Sequence, residues 1–332
     1  MNSTQSSSVS FFIIKGLASQ GEIKTILFVI FLLAYTIILG GNSMIIYLVR
    51  TDPKLGSPMY FFLHNLSFVD MIYTTVTIPN MLSGFLTEVK TVSIPGCFLQ
   101  MFCFIHFGIT DRSLLTVMAY DRYVAICKPL HYVAVMNRTT RLLLIFGSWA
   151  FGFISSFPTI IMASQRSYCG PNVVRHCWCD PSSVRVLVCG DTQVDNLMSL
   201  SSAVISLLAT GVLILTSYIL IGMAINKMGA AQQMKAFSTC VAHLTVVTIS
   251  YSSASFVYIS YRVGNIPQEV RIIVSVIYSI LTPFLNPMIY SLRNKELRMA
   301  IRRTFYRHTP ILPQHCITLT QRPDHKTLNI LS

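Results

Sequence analysis

Charged residues are scarce in this sequence: they make up 11% of its 332 residues, where a soluble domain carries about a quarter. So few charges cannot cover a soluble surface of this size. Acidic residues are the scarcest, 12 against 25 Lys and Arg. The net charge of +13 still does not point to nucleic acid, because no basic helix with interleaved aromatics stands in a soluble domain. No cleavable leader is visible either. Residues 1–10 are polar and lack a basic stretch followed by an apolar core, so the first apolar block is expected to act as its own insertion signal. Internal repeats, the commonest sequence sign of a secondary transporter, are absent. So are a nucleotide-binding glycine loop, a zinc pattern and a nucleophile elbow, which argues against an enzyme and against a resident cofactor.

What the chain does have is apolar length. Its mean hydropathy is +0.59, and 53% of residues are hydrophobic. Seven blocks are long enough to cross ~30 Å of hydrocarbon, which takes about 20 helical residues. They run over 23–49, 59–86, 97–126, 141–162, 197–225, 237–261 and 270–292. The expected fold is therefore an all-α membrane protein, a seven-transmembrane helix bundle. Pro79, Pro158, Pro283 and Pro287 fall inside blocks and read as kinks, because a bundle can re-satisfy the carbonyls they free. After the seventh block, Leu297, Ile301 and Phe305 recur every fourth residue among arginines, so 293–306 reads as a short amphipathic helix on the inner membrane surface. Residues 1–22 read as an extracellular N-terminus and 307–332 as a cytoplasmic tail, which from His308 onward is assigned no structure.

Lys and Arg set the orientation. The loops after blocks one, three and five and the tail hold sixteen, the opposite side holds eight, and Arg112 lies inside a block. The richer side is expected to be cytoplasmic, which puts the N-terminus outside and the C-terminus in the cytoplasm. Asn2-Ser3-Thr4 agrees, as a glycosylation sequon usable only on the outer side. So does the long cysteine-rich loop after block four. The sequons at Asn65 and Asn137 read as chance matches.

Three groups of residues carry chemistry. The third block ends in Met118-Ala119-Tyr120-Asp121-Arg122-Tyr123, where an acid beside an arginine at the mouth of a bundle suits an ion pair that holds the bundle closed. The bland alternative is an arginine snorkelling to the interface. The seventh block carries Asn286-Pro287, a polar group at a weakened backbone, as a helix that changes shape would need. Asp70 and Asp111 are carboxylates at mid-membrane depth, costly and usually functional. Asp111 precedes Arg122 by about three turns, ~16 Å along one helix face, so it points into the bundle. Cys103 and His106, three residues apart, are a weak signal for a metal.

Four stretches together resemble the vertebrate odorant receptors of the rhodopsin-like G-protein-coupled family. They are Pro58-Met59-Tyr60-Phe61-Phe62-Leu63-His64-Asn65-Leu66-Ser67, the 118–132 stretch, Lys235-Ala236-Phe237-Ser238-Thr239-Cys240-Val241-Ala242-His243-Leu244, and 283–294. Gly41-Asn42 agrees, and the resemblance runs from about Phe11 to Tyr306.

The resemblance implies a plasma-membrane receptor whose ligand is a small, mostly apolar volatile. The ligand pocket is expected between blocks three, five, six and seven, at Phe104, Ile105, Gly108, Ile109, Ser202, Ser206, Tyr251, Ser255, Tyr258 and Ser279. It implies an activation switch of Asp121, Arg122, Tyr123, Tyr218, Asn286, Pro287 and Tyr290. Through this switch a stimulatory olfactory G protein would be engaged and cyclic AMP would rise. Trafficking chaperones are further implied partners. It also implies Cys97–Cys179 and Cys169–Cys189 disulfides, with Cys177 left over, where four cysteines alone allow three pairings. Cys103, Cys127 and Cys240 read as small buried residues, and Cys316 as a remote candidate for acylation.

A sodium pocket shared by Asp70 and Asp111 is implied too. Here the chain departs from the family, which has glutamate at Asp111 and a neutral residue at Arg112. Arg112 offers an alternative, an internal ion pair in place of sodium. Rival functions are a same-fold receptor for a non-odour small molecule and, from another class, a channel or transporter.

Overall fold

The computed structural model describes residues 9–17, 22–87, 89–169, 171–260 and 266–308. Seven long helices form the bundle: α1 (Glu22–Thr51), α2 (Pro58–Leu86), α3 (Ile94–Cys127), α5 (Arg138–Gln165), α7 (Gln193–Ile225), α8 (Ala230–Ser260) and α9 (Gln268–Arg293). Two short helices, α4 (Tyr132–Val135) and α6 (Pro181–Arg185), lie in connections, and α10 (Lys295–His308) follows the bundle. Six of the seven long helices are long and apolar enough to cross a membrane. The other, α2, has 29 residues with Asp70 in its middle. At 1.5 Å per residue it reaches ~43 Å, ample for a bilayer.

Local chemistry starts and stops these helices. Ser93 Oγ accepts from the Gly96 amide (3.2 Å) and Asn137 Oδ1 from the Thr140 amide (2.9 Å), so Asn137 is an N-cap. Six of the seven apolar blocks lie inside longer helices, and the block 237–261 does so as far as Ser260. The largest difference is α8, which begins at Ala230 rather than 237. Ala230-Ala231-Gln232-Gln233-Met234-Lys235-Ala236 is too polar for hydrocarbon but rich in strong helix formers. The surface helix begins at Lys295 rather than 293, because Asn294 interrupts the chain and its Oδ1 accepts from the Leu297 amide at 3.0 Å.

A three-stranded sheet adds to the helices. β1 (Phe11–Ile14) pairs antiparallel with β2 (Lys90–Ser93) and parallel with β3 (Val173–Val174), in the order β2-β1-β3. Phe12 and Ile14 face inward over Cys97, Met101 and Val184. The disulfides Cys97–Cys179 and Cys169–Cys189 hold this cap together, the first joining the long loop to α3. Cys177 is buried beside Trp178, and burial pushes its thiol up to about 11, so it is a poor partner for disulfide exchange. Cys240 is buried, but Cys103 and Cys127 are only half-buried. Asn2, the 309–332 tail with Cys316, and residue 261 lie outside the described residues.

The apolar interior has two main parts. One surrounds Leu63, Leu66, Leu114, Met118 and Tyr290 near the Arg122 end. The other surrounds Ile38, Ile78, Met81, Trp178 and Val276 near the disulfide end. Outward-facing side chains such as Leu33, Phe146, Ile154, Leu208, Leu215 and Ile219 stay exposed, as a lipid-facing surface requires. The close approach of α3 and α5 depends on Gly152. A Cβ there would press on Thr110 Oγ1 and the His106 carbonyl, whereas one at Gly147 meets nothing within 4 Å.

Two predictions follow from this packing. Gly152→Ala should destabilise the bundle by about 1–3 kcal/mol, seen as a lower Tm of the solubilised receptor, with Gly147→Ala neutral. The second concerns His176 in the cap, which is fully buried with its Nε2 lacking a partner among the described residues. Burial holds this imidazole below its ordinary 6.5, against an opposing pull from Asp180. The unfolded loop therefore takes up a proton near that pH before the folded loop does. Cap stability should be complete above it and fall as the pH drops below it. Hydrogen exchange over 171–190, corrected for intrinsic rate, should be several-fold faster at about pH 5.5 than at about pH 7.5 in the wild type. It should change little in His176→Gln.

Candidate functional site

A cavity of about 940 Å³ opens at the disulfide end of the bundle. Its deep walls are Tyr73 of α2, Phe104, Ile105, Gly108, Ile109 and Arg112 of α3, Ser202 and Ala203 of α7, Ala254, Val257 and Tyr258 of α8, and Ile272, Ser275 and Tyr278 of α9. Its mouth is formed by the long loop and by Lys15. Gly108 lies against the Tyr73 ring, where an added Cβ would meet it at an ordinary contact distance of 3.5 Å.

Six of the ten residues expected at a pocket line this cavity: Phe104, Ile105, Gly108, Ile109, Ser202 and Tyr258. Four do not. Ser206 and Ser279 are buried and return their hydroxyls to their own helices, on the Ala203 carbonyl (3.0 Å) and the Val276 carbonyl (2.9 Å). Tyr251 is turned to α7, its hydroxyl donating to Thr210 Oγ1 at 2.7 Å. Ser255 is half-buried and off the lining. Tyr73, Ser275 and Tyr278 line the cavity without having been expected there. The available signal for them was hydroxyl spacing on α2 and α9, which does not by itself reveal helix rotation.

Arg112 lies at the cavity rather than in a carboxylate cluster. It is 5% exposed, and its Nη1 donates to the Tyr278 hydroxyl at 3.0 Å. Among the described residues the ion pairs within 4.0 Å are Arg122–Asp121, Arg166–Asp195 and Arg303–Asp52. The internal pair of Arg112 with Asp111 or Asp70 is therefore not formed. Successive side chains leave a helix about 100° apart. Asp111 takes the direction of Asp70, with which it interacts directly, and Arg112 takes the cavity side.

Deeper in the bundle, Asn286 Nδ2 donates to Asp70 Oδ2 at 2.8 Å. Asp111 Oδ1 and Asn286 Oδ1 are buried with no hydrogen-bond partner among the described residues. Two carboxyls side by side in a dry interior must share a proton or a cation. An all-oxygen set of this kind suits a small hard cation. Pro287 packs against Gly41, where a Cβ would come within 3.0 Å of its ring. By contrast, His106 is enclosed by Phe102, Phe107 and Trp149. No group of three or more His, Cys, Asp or Glu side chains suits a metal among the described residues.

At the far end Arg122 Nη2 meets Asp121 Oδ2 at 2.6 Å, and the Tyr132 hydroxyl donates to Asp121 Oδ1 at 2.8 Å. Asp121 is fully buried, so its charge is matched by one cation and one phenol. Tyr123 is half-buried under the Lys128 ammonium, 5.9 Å from its ring centre. Tyr290 is fully buried, and its hydroxyl has no partner among the described residues.

Tyr218 is engaged by His243. The His243 Nε2 lies 3.0 Å from the Leu115 carbonyl and its Nδ1 2.7 Å from the Tyr218 hydroxyl. A carbonyl only accepts, so Nε2 carries the proton and Nδ1 accepts from the phenol. This one imidazole ties α8 to both α3 and α7.

The family model described as olfactory receptor matches residues 31–308. The human olfactory receptor 10A5 is 42% identical over 311 residues, covering 93% of this chain and 97% of its own length. Human olfactory receptor 1L3 is 42% identical, covering 89% of this chain and 91% of its own. The mouse olfactory receptor 4B13 is 41% identical, with 88% and 95% covered. Among solved structures, squid rhodopsin superposes with a TM-score of 0.69 at 19% identity, covering 85% of this chain and 80% of its own, and so shares the fold.

The His243 bridge generates a prediction. His243→Phe removes two hydrogen bonds between helices, each worth about 1 kcal/mol. The population in which the Arg122 end of α8 stands away from α3 should rise about fivefold or more. Distances between spin labels at the two helix ends would measure it, with Tyr218→Phe giving a smaller rise.

Proposed function

Because the chain belongs to the olfactory receptor family of rhodopsin-like G-protein-coupled receptors, which are receptors and not enzymes, we propose that it is an odorant receptor. In this reading it binds a small, mostly apolar volatile in the cavity between α3, α7, α8 and α9. It passes the signal to a stimulatory olfactory G protein, and cyclic AMP rises. The observation that carries this reading is the pairing of two features at opposite ends of one helix. The apolar cavity with scattered hydroxyls lies at one end of α3, and the closed Arg122–Asp121 pair at the other.

The mechanism is a population shift. A ligand acts only as far as it binds one conformation better than the other. In the paired state Tyr132 and Arg122 both hold Asp121. Release of His243 would let α8 move outward, so that Arg122, Tyr218 and Tyr290 face a shared opening wide enough for a partner helix. Lys128 and Lys235, at the same end, would border it.

The receptor is taken to sit in the plasma membrane, with the disulfide-bonded cap outside and α10 on the cytoplasmic surface. The excess of Lys and Arg at the Arg122 end supports that orientation. Asp70, Asp111 and Asn286 would hold a sodium ion in the resting state, neutralising the paired carboxyls. Trafficking chaperones would assist delivery to the surface.

The test is odour-evoked cyclic AMP in cells carrying the receptor, with surface labelling. A ligand-dependent rise should fall at least about tenfold in Arg122→Ala at equal surface level. An undiminished response in that variant, or silence of a well-displayed wild type across a broad panel, would overturn the reading.

A further inference from the structure

The cavity has one feature that a purely apolar ligand does not use. Arg112 is 5% exposed and lines its wall, yet no carboxylate oxygen lies within 4.0 Å among the described residues. Its Nη1 donates to the Tyr278 hydroxyl, and its Nε has no hydrogen-bond partner among the described residues. A buried cation without an anionic partner is costly. A neutral phenol offsets only part of that cost. The neighbouring Asp111 attracts it at longer range, but without an oxygen within 4.0 Å, and Asp111 also interacts with Asp70.

The walls around Arg112 are apolar. Phe104, Ile105, Ile109, Val257 and Ile272 line the cavity on its α3, α8 and α9 sides. The mouth is basic: Lys15, Arg175, Arg185 and Arg271 line it, and Asp180 is the one carboxylate on the lining. Asp180 is already engaged, accepting from the Ser182 and Ser183 amides at 3.0 and 3.1 Å. An entrance of this sign raises the local concentration of anions and speeds their arrival.

We propose that the ligand of this receptor is a small carboxylic acid, bound as its anion, with the carboxylate on the Arg112 guanidinium and the hydrocarbon tail against the apolar wall. The guanidinium fork matches the two oxygens of a carboxylate, and the Tyr278 hydroxyl, already on Nη1, fixes its direction. The assignment rests on reading this cavity as the receptor's ligand site. It narrows the ligand from volatiles in general to acids. Matching esters, aldehydes and alcohols offer at most a neutral acceptor to the same cation.

Binding is measured directly, so that it does not depend on coupling. The full-length receptor in lipid nanodiscs is melted with increasing hexanoic or octanoic acid, the methyl esters and the corresponding alcohols. The acids should show half-maximal stabilisation at concentrations about 10- to 100-fold below the esters. Arg112→Gln should abolish that preference, and Arg112→Lys should keep it in weaker form. Tyr278→Phe, which frees the guanidinium without removing its charge, should reduce it less than Arg112→Gln.

Equal stabilisation by acid and ester in the wild type overturns the proposal, and so does an unchanged acid preference in Arg112→Gln. If Arg112→Gln does not fold, the wild-type ratio and the Lys variant decide alone. Acid-selective stabilisation without any rise in cyclic AMP would leave the carboxylate site standing and sink the signalling reading. A cyclic AMP response confined to neutral volatiles would do the reverse.

Discussion

In hydrocarbon a polar group has only the protein to bond with, and in this chain the costliest ones stand on α3. Asp111, Arg112, Asp121 and Arg122 all project from one helix of 34 residues. Its first turn is tied to the long loop through Cys97–Cys179. Each of these groups obliges a neighbouring helix to answer it. Tyr278 of α9 answers Arg112, and Asp70 of α2 with Asn286 of α9 stands by Asp111. Tyr132 of α4 answers Asp121, while Leu115 lends its carbonyl to His243 of α8. The arrangement of the other helices around α3 therefore follows from polar satisfaction as much as from apolar packing. Many serines and threonines elsewhere return to their own backbone and make no such demand, as Thr74 and Thr110 do.

This explains how a cavity and a distant ion pair can belong to one device. The contacts along α3 are few, specific and made to four different helices. Moving α8 breaks the His243 bridge and draws Ala242 and Val246 out of the apolar interior that Leu63 and Leu66 share. Moving α9 disturbs Tyr278 and Asn286 together, since eight residues separate them on one helix. A bundle held by such discrete bonds has alternative arrangements that differ by a few hydrogen bonds, an amount a small ligand can rebalance. A bundle held by continuous apolar contact alone would have no comparable pair of states.

The helices were legible in the sequence because apolar length and the placement of Lys and Arg are properties of composition. The helix ends were not. Ala230 to Ala236 is helical for reasons of propensity that a search for hydrocarbon-spanning blocks does not weigh. The cap was missed for a different reason. Phe11–Ile14 alternates buried and open like any short strand, but its partners Lys90–Ser93 and Val173–Val174 lie far away in sequence. Gln100, which accepts from the Cys179 amide and from Asn80 while donating to the Val76 carbonyl, is equally invisible without the fold. At the cavity, the helix face was readable but the depth to which the open space reaches along it was not. Hence Ser202 and Tyr258 line the space, and Ser206 and Tyr251, one turn and two turns away, do not.

Arg112 shows where the sequence left two readings open, a sodium pocket beside it or an internal ion pair. An arginine beside a membrane carboxylate invites an ion pair, and the charges alone favour it. Geometry decides otherwise, because two adjacent positions on a helix serve different neighbours unless a long side chain folds back. Arg122 does fold back, onto Asp121, at the bundle mouth where its side chain is still 14% exposed. Arg112 stands deeper, with a cavity and a phenol before it and a crowded α2 interface behind. A side chain in that position gains more by filling the open space than by bending into packed helix. The same deficit that keeps it from Asp111 leaves its charge at the cavity wall, so the unfamiliar residue bears on what enters from outside.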